Sequence, residues 1–224
     1  MSMAPSERRF DDVDALLAGL AADLAAALRA AVANRGRALI AVSGGSSPKR
    51  LFEQLARVDL PWSAVTVAQV DERWVPIDHV DANARLIREH LLRDAAVAAH
   101  FLPMKNEAAT PEAGQALCEA QLQALPLFDA VLLGMGEDGH TASLFPHAPG
   151  LTAALATEGP LCAAMPVPRA PHPAHTRMSL TLAGLLHSRR LLLPLSGAAK
   201  LAVLRAAQQP GPAEAMPVRA VLRQ

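Results

Sequence analysis

The segment Gly134-Met135-Gly136-Glu137-Asp138-Gly139-His140-Thr141-Ala142-Ser143 concentrates groups that can do chemistry. A free imidazole titrates near about 6.5, so neutral His140 can take a proton from water at working pH. Asp138, two residues earlier, can orient the ring and stabilise the imidazolium, and Glu137 could do the same. Gly134, Gly136 and Gly139 permit a loop that approaches a reacting group closely, with backbone N–H groups available to an oxyanion. A lone histidine is more often structural. This one stands in a Gly-rich loop after the expected strand Phe128–Leu133, which favours catalysis.

A second loop, Ser43-Gly44-Gly45-Ser46-Ser47-Pro48, follows the apolar run Ala38–Val42 and precedes a helical pattern. Two glycines before a helix N-terminus, flanked by hydroxyls, suit a phosphate or another oxyanion. An ordinary strand-to-helix turn would look the same. Neither GxxxxGK[ST] nor GxGxxG is present, so no nucleotide or dinucleotide site is indicated. Ser43 and Ser143 lack the GxSxG setting of a nucleophile. Glu72, Asp78 and Asp81, with His79, His90, His100, His147, His172, His175 and His187, show no HExxH or HxH spacing. No metal and no cofactor is expected. His172 and His175 fall in a Pro-rich stretch and read as solvent-facing.

These loops need elements to hold them. Val13, Leu16, Leu17, Leu20, Leu24, Leu28 and Val32 recur at helical spacing, and a helix through Leu51, Phe52, Leu55 and Val58 follows Pro48. Val65–Val70 reads as a strand and Asp71–Pro76 as the loop leaving it. Helices are expected over Ala84–Arg93, Pro111–Leu125 and Ala198–Gln208, and strands over Leu161–Met165, Arg177–Leu182 and Leu191–Leu195. Continuous apolar strands alternating with helices predict an α/β fold: a three-layer α/β/α sandwich with a mostly parallel, Rossmann-like sheet. Ligands of such sheets bind beyond the strands' carboxyl ends, which selects the loops at Ser43, Asp71, Gly134 and Ser196. No repeat or long linker interrupts the 224 residues, so residues 1–224 read as a single domain.

Twenty-one basic residues balance 21 acidic ones, and aromatic residues make up 3% of the chain. Neither a polyanionic partner such as nucleic acid nor an anionic membrane is favoured. The apolar stretch from Ala15 to Ala33 carries Asp23 and Arg29 at helical spacing, unlike a membrane span. Cys118 and Cys162 cannot frame a disulfide scaffold, which favours a cytoplasmic location. Only three of the basic residues are lysines: Lys49, Lys105 and Lys200.

Ser43-Gly44-Gly45-Ser46, the Asp71-Glu72-Arg73-Trp74-Val75-Pro76 segment with Asp81-Ala82-Asn83, and Gly134 to Pro146 occur in the order found in 6-phosphogluconolactonases. From about Phe10 to Ala207 the chain resembles that family, within the glucosamine/galactosamine-6-phosphate isomerase-like superfamily. The resemblance implies a sugar-phosphate isomerase/deaminase-like fold and metal-independent hydrolysis of 6-phospho-D-glucono-1,5-lactone in the oxidative pentose phosphate pathway. It implies His140 as base with Asp138 beside it, substrate contacts from Ser43, Gly44, Gly45, Ser46, Asp71 and Arg73, and phosphate contacts from Arg177 and Lys200. The expected partner is the small sugar-phosphate lactone alone, and the expected assembly a monomer or small homo-oligomer. Ala82 stands where the family has serine, and Thr176 where relatives often have proline. A glucosamine-6-phosphate deaminase or isomerase would share the Ser-Gly-Gly loop, but would follow Asp-Gly-His with Ile-Ala-Phe-Asn-Glu-Pro. Thr141-Ala-Ser-Leu-Phe-Pro146 lacks that glutamate. A non-catalytic sugar-phosphate sensor would not need His140 and would ordinarily carry a DNA-binding module, for which the residues before the first helix leave no room.

Overall fold

In the computed structural model, which describes residues 5–45, 48–168 and 172–224, the apolar run Ala38–Val42 forms strand β1 and all five residues are buried. Both faces are covered, so neither face needs polar side chains. Ala38, Ile40 and Val42 enter one core, while Leu39 and Ala41 enter a second core on the opposite face.

The first half of the chain supplies α1 (Val13–Arg35), β1, α2 (Lys49–Leu55), β2 (Val65–Gln69), β3 (Asp71–Arg73), α3 (Asn83–His90), β4 (His100–Leu102) and α4 (Pro111–Gln123). The second half adds β5 (Ala130–Leu132), α5 (Leu151–Ala154), β6 (Cys162–Met165), β7 (Arg177–Leu180), α6 (Leu182–Leu186), β8 (Leu191–Leu192), α7 (Ala198–Gln208) and α8 (Val218–Leu222). Helices α1, α2 and α3 cover one face of the main sheet through Leu24, Leu28, Phe52 and Ile87. The other face packs against α4, α5, α6 and a second sheet through Cys118, Leu151, Met178 and Leu185. Helix α1 is long and apolar enough to cross a membrane by composition, but Leu17, Leu20, Leu24 and Leu28 are core residues.

The main sheet is parallel with order β4-β2-β1-β5-β8. From β1 the chain builds outward to β2 on one side and to β5 on the other, so a crevice opens at the carboxyl ends of β1 and β5. The second sheet, β3-β7-β6, is antiparallel. It was not expected from the sequence. Asp71–Arg73 reads as a loop because it is charged, yet it pairs with β7. Strand β4 was also unforeseen, since three residues give no periodicity. The expected strand Leu191–Leu195 stops at Leu192, ahead of Pro194, which has no N–H for a ladder.

Candidate active site

The loops after β1, β2, β5 and β8 meet, as expected, around one cavity of about 590 Å³. Ser43, Gly44, Gly45, Asp71, Arg73, Gly134, Gly136, His140, Arg177 and Lys200 all line it. Ser46 lies outside the described residues. Asp138 and Gly139 do not line it; Asp138 contacts the cavity-lining His140.

The Gly134–His140 loop closes on itself to hold the histidine. His140 Nδ1 lies 2.5 Å from Asp138 Oδ1, and the His140 backbone N–H donates to the same oxygen at 3.1 Å. With Nδ1–H held by the carboxylate, Nε2 is left as the basic nitrogen. Burial pushes the Asp138 carboxyl up, but the His140 hydrogen bond and the charges of His140 and His172 outweigh it and hold it well below the usual range. A Cβ on Gly136 would stand 2.0 Å from His140 Nδ1 and 2.4 Å from Asp138 Oδ1, so only glycine leaves room for the pair. Gly139 has φ +79° and packs on Met216.

The oxyanion reading needs correction at two of the three glycines. The Gly136 N–H donates to His140 O and the Gly139 N–H to Gly136 O, so both are spent inside the loop. Among the described residues no acceptor faces the Gly134 N–H, and it remains the candidate donor. Lys200 Nζ donates to Met135 O at 2.5 Å, tying α7 to the loop. From the other side, Val218 N–H, at the start of α8, donates to Gly139 O at 2.9 Å. The C-terminal residues are therefore part of the loop's support.

Across the cavity, the β3–β7 register sets Arg73 directly opposite Arg177. Opposed like charges on a ladder are unfavourable unless an anion sits between them. Arg177 is only 2% exposed, and burial with the charge of Arg73 lowers its pKa, against the opposing pull of Asp71. Arg73 Nη1 donates to Asp81 O at 2.6 Å and Arg177 Nη2 to Pro173 O at 3.1 Å. Neither pairs with a carboxylate among the described residues. Ser43 Oγ, Arg73 Nε, Asn83 Oδ1 and Arg177 Nε are buried without a hydrogen-bond partner there, and all four residues line the cavity. Orphaned polar atoms around one void are what a polar ligand would satisfy.

Glu72 and Asp71 near this wall each accept hydrogen bonds from the protein's own groups. Glu72 accepts from the N–H groups of Asn83 and Ala84 at 2.7 Å each, taking over the start of α3, where Ala82 offers no cap. Burial raises its pKa, opposed by these bonds and one from Gln69. Asp71 accepts from Ser143 Oγ at 2.6 Å and from Asn83 Nδ2. Ser143 is fully buried and its hydroxyl is engaged in that bond, which removes it as a nucleophile. A Cβ on Gly44 would meet Asn83 Oδ1 at 1.9 Å, so Gly44 lets the Ser43 loop close onto α3.

His172 is a correction to the solvent-facing reading. It lines the cavity, with its ring 4.9 Å from His140 and 4.8 Å from Phe145. Phe145 and Asn83 also line the cavity, and nothing in their residue types announces a wall position in the sequence. His175 is also held in place: Nε2 lies 2.9 Å from Asp81 Oδ2, and that hydrogen bond lowers the Asp81 pKa. With His79, this cluster clamps the loop whose carbonyl binds Arg73.

Comparison with known proteins finds relatives along most of the chain. The sequence model of the family "Glucosamine-6-phosphate isomerases/6-phosphogluconolactonase" matches residues 11–224. A 6-phosphogluconolactonase of Pseudomonas aeruginosa is 46% identical over 207 residues, covering 92% of this chain and 86% of the relative. A crystal structure of a 6-phosphogluconolactonase from Shewanella baltica superposes with TM-score 0.91 at 43% identity, covering 96% of this chain and 91% of that one. A monomeric glucosamine-6-phosphate deaminase matches with TM-score 0.80 at 18% identity, covering 95% and 90%, a likeness of fold alone.

Proposed function

The chain belongs to the glucosamine-6-phosphate isomerase/6-phosphogluconolactonase family, and on that premise we propose that it hydrolyses 6-phospho-D-glucono-1,5-lactone to 6-phospho-D-gluconate with His140 as the base. The observation that carries this reading is the cavity's two-sided character. An Asp-held imidazole stands on one wall, and two facing arginines without carboxylate partners stand on the other.

His140 Nε2 takes a proton from water as the water oxygen adds to the lactone carbonyl. Asp138 stabilises the imidazolium that results. The tetrahedral intermediate collapses by breaking the bond from carbonyl carbon to ring oxygen, and the imidazolium returns its proton to that oxygen, now the C5 hydroxyl. The lactone carbonyl is electrophilic enough for a positioned base and water, which contribute about 10²–10⁴-fold. The Gly134 N–H is the donor proposed for the oxyanion. Arg177 and Lys200 hold the phosphate, while Arg73, Asp71 and the Ser43-Gly44-Gly45 loop position the sugar.

The test is a lactonase assay corrected for spontaneous hydrolysis, with glucosamine-6-phosphate as the competing substrate. His140→Ala should lower kcat by about 10²-fold or more and leave 6-phosphogluconate binding nearly unchanged. Near-wild-type turnover by this variant rejects the base assignment. Ammonia release from glucosamine-6-phosphate exceeding lactone turnover rejects the reaction.

A further inference from the structure

The Asp138 carboxylate faces two imidazoles, and the mechanism above uses only one. His140 Nδ1 is 2.5 Å from Oδ1, and His172 Nε2 is 3.5 Å from Oδ2. The rings meet edge to face at 84°, and both pack on Phe145, His140 at 4.5 Å and His172 at 4.8 Å. We propose that His172 is a positioning residue which, by sharing Asp138 with His140, sets how strongly that carboxylate stabilises the imidazolium and so the pH at which hydrolysis falls off. This rests on the reading of His140 as the base.

The surroundings fix the charge His172 carries. Asp138 and His140 face it from the loop after β5. From β7, Arg177 stands over the shared Phe145 at 5.3 Å. Arg73, Glu137 and Lys200 line the same cavity. Burial, then the charge of His140, then that of Arg177 disfavour a second cation, against the pull of Asp138. His172 therefore takes up a proton less readily than a free imidazole. At 3.5 Å its contact is longer than a tight hydrogen bond, so the coupling is electrostatic. A neutral polar group there leaves most of the carboxylate's charge to His140. A permanent cation would compete for that charge and repel the imidazolium.

Three substitutions separate this role from packing. The His140 ring is titrated by NMR without substrate in wild type, His172→Leu, His172→Gln and His172→Lys, and the acid limb of kcat/KM is measured beside it. His172→Leu, which gives up the contact with Asp138, should raise the His140 midpoint by about half a pH unit, and His172→Gln, neutral and polar, should bring it back to wild type. His172→Lys should lower it by about one pH unit, tenfold in proton affinity, as a nearby like charge does. His172→Leu keeping the wild-type midpoint, or His172→Gln shifting it as far as His172→Leu does, overturns the proposal. If the His140 midpoint moves as expected and the acid limb does not follow, the coupling stands and the base assignment fails.

Discussion

Arg177 shows how a single residue trades stability for binding. Its guanidinium is buried, faces Arg73 across the ladder, and finds one backbone acceptor but no carboxylate among the described residues. A buried charge without a counterion costs stability, and an apolar residue of similar volume often recovers it. Arg177→Met should therefore raise folding stability by about 1–2 kcal/mol in denaturant titration. The same change should raise KM for the phosphorylated lactone about tenfold or more, one lost charge-assisted contact. A destabilised variant with unchanged KM would show that the arginine serves the fold. The side chains that face the cavity were legible to different degrees. His140 and Asp138 announce themselves by spacing within glycines, whereas Arg177 came forward only through resemblance, because one arginine before Met-Ser-Leu-Thr could lie anywhere. His172 was misread because proline-rich surroundings suggest exposure, and its contacts with His140 and Asp138 form across 32 and 34 positions of sequence.

At the scale of elements, the antiparallel sheet depends on a helix for its free edge. Among the described residues strand β6 has only β7 as a neighbour, and α4 supplies acceptors for its other side. Glu119 accepts from the N–H groups of Leu161 and Cys162 at 3.0 Å each, and Gln115, one turn earlier, accepts from Ala164 N–H at 3.0 Å. An exposed edge of unpaired N–H groups is a template for aggregation, and here side chains cover it. Glu119→Ala should cost about 1–3 kcal/mol, the range for unmade bonds to a charged acceptor, seen as a lower midpoint in urea. Turnover per folded molecule should stay at wild type, since α4 does not reach the cavity; lost activity at full folding would contradict this role. Elements with several turns or fully buried strands were readable from periodicity: β1 and α7 match their expected bounds. The second sheet was not, because β3 is three charged or polar residues whose pairing with β7 is set by tertiary contact. The α3 start shows the same limit: Ala82 has no capping side chain, and Glu72, ten positions away, does the work.

For the whole molecule, net charge and local charge are separate quantities. Twenty-one acidic and 21 basic residues cancel, so little long-range attraction is expected for a dianionic substrate. Yet the fold draws Arg73, Arg177 and Lys200 to one cavity, and Lys200 is one of three lysines. Glu137 and Asp71 also line it, but Asp71 is engaged by Ser143 and Asn83. The resulting positive field should act within a few ångströms of the mouth and be sensitive to screening, whose length falls from about 30 Å at 0.01 M salt to about 3 Å at 1 M. Between 0.01 M and 0.5 M salt, kcat/KM for the phosphorylated lactone should fall about two- to fivefold, far less than the 10- to 10³-fold of strongly steered pairs. Unphosphorylated gluconolactone has no dianion to attract, and its kcat/KM should stay flat over the same range. The comparison isolates the arginine wall, because both substrates pass the same His140 and differ only in the phosphate. Equal salt responses would mean that Arg177 and Lys200 do not meet the phosphate, and a decline beyond tenfold would mean that charges outside the cavity steer it.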